Sequence, residues 1–271
     1  PNGWGPIGPT CLKHNHDVRY PWYEADLELD GQVVERIGVR KKAFCGSQDT
    51  EKPGLKLNLD EYVTGQELEG VDNLTLNNSK QDPAYVRQCL AYDLFAAAGI
   101  PASRCNFAHV WVNGVDMGIY VNVEPIKKAY LRRHFDDDEG NLYEGTLSDF
   151  TPEWRTTFEK KTNESDPAQP EIDAAIAAVD AANATSVAEV EALFDLPRFI
   201  DYWVLETLLG HADGYSTNHN NFYVYGDPST DKLTILPWEV DQTLCSESSA
   251  EANPTGAMAA WLPWLLWRYW C

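Results

Sequence analysis

His211-Ala212-Asp213-Gly214-Tyr215-Ser216-Thr217-Asn218-His219-Asn220-Asn221 runs straight into the apolar stretch Phe222-Tyr223-Val224-Tyr225, and this junction of polar loop and apolar strand decides the fold. Gly226-Asp227-Pro228-Ser229 is a run of turn formers, Leu233 to Leu236 is a second apolar strand, and Pro237-Trp238-Glu239-Val240-Asp241 comes after it. The pattern predicts a β-hairpin. Antiparallel pairing sets the start of one strand beside the end of the other, so Asp213, Asn220 or Asn221, and Asp241 converge at its open end. Adjacent strand-edge residues face opposite ways, and the sequence leaves the choice between the two asparagines open. A carboxylate for an acceptor hydroxyl, an amide and a second carboxylate for a divalent metal, and a distant Lys on the phosphates are what phosphoryl transfer from a nucleotide requires. Asn and Asp also cap turns at hairpin ends, so spacing alone admits a structural reading of the same residues. His211 and His219 lack a third ligand at metal spacing and read as hydrogen-bonding residues.

Outward from the hairpin, Pro170 to Ala182, Ser186 to Phe194 and Pro197 to Gly210 have helical periodicity, the last with the stripe Phe199, Ile200, Trp203, Val204 and Leu208. Thr146 to Pro170 is polar and reads as a long surface excursion. Asp136 to Gly140 misses the EF-hand spacing and reads as a solvated acidic turn. Ile126 to Phe135 is predicted helical. Earlier still, Tyr23 to Leu29, Asp30-Gly31 and Val33 to Arg40 form a hairpin pattern, and Leu55 to Leu59 alternates. Asp82-Pro83 predicts a helix start, with Gly99 and Pro101 as its stop. Phe107 to Val112 and Gly118 to Val123 read as another hairpin, with a loop from Asn113 to Met117. The fold class is α+β.

The 271 residues carry 21 Lys plus Arg against 42 Asp plus Glu, a net charge of −21. No basic stripe is available for counterion release, which excludes nucleic acid and favours a basic partner. With 44% hydrophobic residues, ten Trp and thirteen Tyr, the chain can bury a substantial core. The apolar run from Ala257 to Trp270 is interrupted by Pro263 and Arg268 and is too short to span a bilayer, so a soluble protein is expected, and it is taken to be a monomer. Pro1 opens the chain without Met or an apolar signal core, as in a processed or trimmed product. The six cysteines contain no C-x-x-C pair, which disfavours zinc. Disulfides would suit an exported protein, although reduced thiols are ordinary in a cytosolic one; Cys11–Cys45 and Cys245–Cys271 are the expected pairs.

Several segments in one order extend the pattern: Ile37-Gly38-Val39-Arg40-Lys41-Lys42, Leu55-Lys56-Leu57-Asn58-Leu59, Leu74-Thr75-Leu76-Asn77-Asn78, Val86-Arg87-Gln88-Cys89-Leu90-Ala91-Tyr92 and Ala98-Gly99-Ile100-Pro101-Ala102. Gly118-Ile119-Tyr120-Val121-Asn122-Val123-Glu124 and Gly140-Asn141-Leu142-Tyr143 lead from these to the hairpin. Together they resemble the CotH kinase family, the secreted and spore-coat protein kinases of atypical kinase-like fold. The resemblance implies a two-lobed kinase-like architecture. Residues 1 to about 124 would form an N-lobe of strands and one helix, and about 125–271 a mostly helical C-lobe.

It also implies an ATP-dependent protein kinase using Mg²⁺ or Mn²⁺ and acting on Ser or Thr of a protein, secreted or at the cell surface. Lys56, or alternatively Lys42, would pair the phosphates. Asp213 would be the catalytic-loop carboxylate, Asn221 or Asn220 and Asp241 the metal ligands, and Glu124 and Arg87 would line the nucleotide cleft. Two departures matter. Gln88 stands where the family commonly has the Glu that pairs with the phosphate lysine, and Glu239 where it commonly has Asp; Glu144 also replaces a frequent Lys. A pseudokinase, or adenylyl instead of phosphoryl transfer, is therefore a second reading. Hydrolysis by Glu239 and Asp241 on one strand face is a third.

Overall fold

The computed structural model describes residues 20–43, 47–182 and 186–244. The chain divides into two compact units, Pro1–Cys89 with Arg104–Pro125 and Leu90–Ser103 with Ile126–Cys271. The expected cysteine pairs and the apolar run from Ala257 lie outside the described residues.

The first unit is built on an antiparallel sheet in the order β1-β2-β3-β4-β6-β5. Its strands are β1 (Tyr23–Leu29), β2 (Gln32–Lys42), β3 (Gly54–Asn58), β4 (Asn73–Asn77), β5 (Cys105–Val112) and β6 (Val115–Val123). Asp30 and Gly31 join β1 to β2 with positive φ at both positions, 49° and 82°, the left-handed turn whose twist matches a hairpin. Asn113 and Gly114 do the same between β5 and β6, at 51° and 77°. The loop there is thus two residues and not five. Asp116 and Gly118 belong instead to an irregularity within β6, where Asp116 Oδ1 accepts the Gly118 N–H at 2.7 Å.

Alternation divides this sheet into two faces. Ile37, Leu55, Leu57, Leu76 and Tyr120 pack on one, with Val34 and Leu59. Each such side chain contributes about 1.5–3 kcal/mol by leaving water. On the other face Arg40, Lys56 and Thr75 stand opposite one another on β2, β3 and β4.

Helix α1 spans Arg87–Ala97, not Asp82 to Gly99. Tyr85 takes a φ of 64°, which ends any helix begun at Pro83. Asp82 nonetheless caps α1 from a distance, its Oδ2 accepting the Arg87 N–H at 2.8 Å. At the other end Gly99, at φ 77°, closes a Schellman pattern in which Ile100 N donates to Phe95 O at 3.0 Å. The chain leaves the first unit within α1 and returns at Arg104; a Cys89–Cys105 disulfide closes that excursion at its root.

The second unit holds α2 (Lys128–His134), β7 (Leu142–Gly145), β8 (Phe158–Lys160), α3 (Pro170–Ala181), α4 (Ala188–Leu193), α5 (Leu196–Leu209), α6 (Tyr215–Asn218), β9 (Phe222–Asp227) and β10 (Lys232–Pro237). Its four strands pair antiparallel in the order β10-β9-β7-β8. The expected surface excursion after Thr146 holds only in part: residues 163–168 are exposed, but the segment before them supplies β8 and the buried Phe150 and Phe158. Phe150 meets Phe158 and Phe194 at 5.3 Å each and Tyr215 at 6.2 Å. Tyr215 also stands 4.7 Å from Phe222 and 6.0 Å from Trp203, so the core lies directly under the segment that bears Asp213.

Candidate functional site

α5 carries the chain to Asp213. Asp195 caps its start by accepting the Arg198 N–H, Pro197 sits in its first turn, and Gly210 ends it in the left-handed conformation at φ 61°. Of the expected apolar stripe Trp203 is buried while Val204 and Leu208 are exposed; the helix packs inward through Leu196, Tyr202, Trp203 and Leu209, so the loop after Gly210 starts from a fixed point. The β9–β10 hairpin supplies the other side, with Phe222 opposite Pro237 and Trp238 N donating to Asn221 O at 3.1 Å.

Between these elements the Asp213 carboxylate is held by three side-chain amides. Asn218 Nδ2 donates to Oδ1 at 2.6 Å, while Asn221 Nδ2 and Gln242 Nε2 donate to Oδ2 at 3.0 and 3.1 Å. Asn221 Nδ2 also reaches the Asp213 carbonyl at 3.0 Å. A second tie, Ala212 N to Gln242 O at 3.0 Å, binds the two segments through their backbones. Asp213, Asn221 and the Asp241–Gln242 turn are therefore brought together. Asn220 is buried the other way and accepts the Leu147 N–H at 3.3 Å, so Asn221 is the asparagine that faces Asp213. The Asn221 φ of 55° turns its side chain back toward Asp213, a left-handed conformation that Asn tolerates better than most residues.

β10 ends at Pro237. Glu239 has a φ of 44°, and Val240–Gln242 form a single 3₁₀ turn. Glu239 and Asp241 consequently do not share an extended strand face, and the hydrolytic reading loses the geometry on which it rested. Asp241 is 5% exposed, between the buried Val240 and Thr243. Tyr223, Tyr225 and Trp238 pack in the core as expected.

The remaining candidates lie in the first unit. Lys56 sits in the middle of β3, between Arg40 and Thr75. Lys42 is the last residue of β2, opposite Gly54. Glu124 is clasped to Arg104: its carboxylate accepts the Arg104 N–H at 2.9 Å and Nη2 at 3.0 Å. Arg87 opens α1 with its guanidinium 3.7 Å from the buried Asp82. Gln88, 2% exposed, accepts from Asn77 Nδ2 at 3.1 Å. Asn77 stands two residues beyond Thr75 on β4, hence on the sheet face of Lys56. The position expected to carry the partner of the phosphate lysine thus forms a neutral amide pair. Glu144, a further departure, bonds Lys161 at 2.5 Å; a lysine next to β8 supplies the charge that β7 lacks.

Sequence reasoning missed Gln242, Asn218 and the buried acid Glu206, whose partners are distant in the chain or separated by a helix terminus. Among the described residues no group of three or more His, Cys, Asp and Glu side chains is placed to hold a metal. The Asp241 carboxylate and the Asn221 amide oxygen are donors of the chemical kind that magnesium takes when phosphates and water complete its shell. Among the described residues no helix is long and apolar enough to cross a membrane.

Inner spore coat protein H of Bacillus subtilis is 25% identical over 253 residues, which cover 85% of this chain and 67% of that protein. Invasin CotH2 of Rhizopus delemar is 25% identical over 189 residues, 64% of this chain and 32% of that protein, so the chain spans about a third of the latter. Among solved structures, the Helicobacter pylori proinflammatory kinase CtkA aligns over 81% of this chain and 66% of its own at 11% identity and a TM-score of 0.37. The family model described as CotH kinase protein matches residues 39–269, a span that takes in the end of β2, β3, β4, α1 and the whole Asp213-to-Asp241 constellation. The chain belongs to the CotH kinase protein family.

Proposed function

We propose that this chain is an ATP-dependent protein kinase that transfers the γ-phosphoryl group to a Ser or Thr hydroxyl of a basic protein. The observation that carries the reading is the Asp213 carboxylate, fixed by Asn218, Asn221 and Gln242 and tied through Gln242 to the turn of Asp241. Neutral amide donors orient the acid without placing a cation against it, which suits a group that must position a hydroxyl and accept its proton. Asn221 and Asp241 would hold Mg²⁺ or Mn²⁺, Lys56 would meet the phosphates, and Arg87 and Glu124 would border the nucleotide. The bound metal would neutralise charge developing on the phosphates. Relatives named for the spore coat and for invasion, with the Cys89–Cys105 disulfide, support action outside the cytoplasm.

One observation favours the second reading. Gln88 is engaged by Asn77, so the usual acid is absent from the helix turn that would steady Lys56. Nucleotide binding with weak transfer, or adenylyl transfer, would result. Intact-mass analysis of a basic test protein incubated with ATP and Mg²⁺ or Mn²⁺ separates the outcomes. A gain of one phosphate, lost in Asp213→Ala and Asp241→Ala, is the expected result. One adenylate would keep the site and change the reaction. Calorimetric binding without transfer would identify a pseudokinase, and binding that survives EDTA unchanged would overturn the metal assignment.

A further inference from the structure

Glu206 lies in the last turn of α5, 1% exposed, and its carboxylate gathers donors from both flanks of Asp213. Oε1 accepts from the Tyr202 hydroxyl at 2.8 Å, His211 Nδ1 at 3.2 Å and the Tyr215 backbone N–H at 3.0 Å. Oε2 accepts the Ser216 N–H at 2.7 Å. His211 precedes Asp213 by two residues, and Tyr215 and Ser216 come just after it. Burial alone would raise the Glu206 pKa, but the bonds from His211 and from Ser216 outweigh it and hold the carboxyl below its usual range. The acid is therefore charged inside the core, a state that persists only because each oxygen is satisfied.

Gly214 completes the device. A Cβ there would overlap Glu206 Oε1 and His211 Nδ1, so the close wrap of the loop around this carboxylate requires glycine. The network extends through the Tyr215 hydroxyl to Asp149 Oδ1 at 3.0 Å, and Ser148 N donates to His219 O at 2.7 Å, so the loop is also anchored to the segment before β8.

We propose that Glu206 is a positioning residue for Asp213: the carboxylate fixes the backbone from His211 to Ser216 and thereby sets the direction in which Asp213 points. The catalytic half of this inference rests on the kinase reading, whereas the control of loop geometry does not. Glu206→Gln keeps the shape but substitutes an NH₂ for an acceptor, leaving at least one buried donor unpaired.

The test measures amide hydrogen exchange and turnover in the full chain. In Glu206→Gln, exchange at Tyr215 and Ser216 should rise at least tenfold while β9 and β10 stay protected. Phosphorylation of a basic test protein should lose at least thirtyfold in kcat, with the KM for ATP within threefold. His211→Ala, which removes a single donor, should shift both readouts in the same direction, and His211→Asn, which retains one, should restore them; this pair decides the matter if Glu206→Gln does not fold. Unchanged exchange at Tyr215 and Ser216 overturns the inference, as does raised exchange with undiminished kcat. If the wild type transfers nothing, the kinase reading fails, and exchange alone then decides whether Glu206 holds the loop.

Discussion

Gly214 and Gln88 are single residues whose replacement has calculable consequences. Gly214 has an ordinary φ of −89°, so alanine meets no backbone strain there; the obstacle is the overlap with Glu206 and His211. Overpacking of this kind costs about 1–3 kcal/mol. We expect Gly214→Ala to lower stability by that amount in urea unfolding, and an effect within about 0.5 kcal/mol, typical of an unconstrained surface site, would show that the loop relaxes freely. Gln88→Glu places a charge at a 2% exposed position facing the Asn77 amide. Such a variant should lose about 1–3 kcal/mol at pH 7. A neutral result in the same melts would show that the site accommodates the carboxyl group, neutralised by a proton or by a nearby cation.

At the scale of elements, α1 is held by means other than a Lys–Glu ion pair. The Asn77–Gln88 bond and the Cys89–Cys105 disulfide both fasten its first turn, the second across a separation of 16 residues. Closing a loop of that length stabilises by about 3 kcal/mol, as much as burying a large apolar side chain. Cys89→Ser with Cys105→Ser should lower the unfolding free energy by about that amount, and treatment of the wild type with reductant should reproduce the loss. Equal stability with and without reductant would refute it. The sequence named no partner for Cys89 or Cys105, because spacing cannot tell which thiols the fold brings within bonding distance. It also placed the α1 start five residues early, since Asp-Pro signals a turn as readily as a helix and Tyr85 decided between them.

For the whole molecule, pH and salt report on the charges. Asp49 is lowered to about 2, chiefly by the Lys52 N–H and then by Lys80, and Glu206 is lowered from 4.5. Both are carboxylates depressed on folding, so their contribution is complete above the unfolded pKa and disappears as pH falls through the folded one. Stability should decline from about pH 4.5 toward pH 2, and Glu206→Gln should flatten the upper part of that decline in urea melts followed against pH. A net charge of −21 attracts basic segments over a distance that salt shortens, to about 10 Å at 0.1 M. If the kinase reading holds, the KM for a basic protein should rise steeply with ionic strength while that for ATP changes little.

The hairpins, most of the helices and the approach of Asp213, an asparagine and the turn of Asp241 were legible in the residues alone, because turn chemistry and apolar period are local and antiparallel pairing then dictates which ends meet. The sequence could not choose Asn221 over Asn220, since one step in register or one left-handed residue reverses a side chain, and here φ at Asn221 made the choice. Nor could it assign Gln242, Glu206 or the Cys89–Cys105 bond. Their roles arise from bonds between segments far apart in the chain or from a carboxylate turned back past a helix end, and for Gln242 and Glu206 it is the packing of the second unit, with its aromatic core beneath Tyr215, that brings the partners within hydrogen-bonding distance.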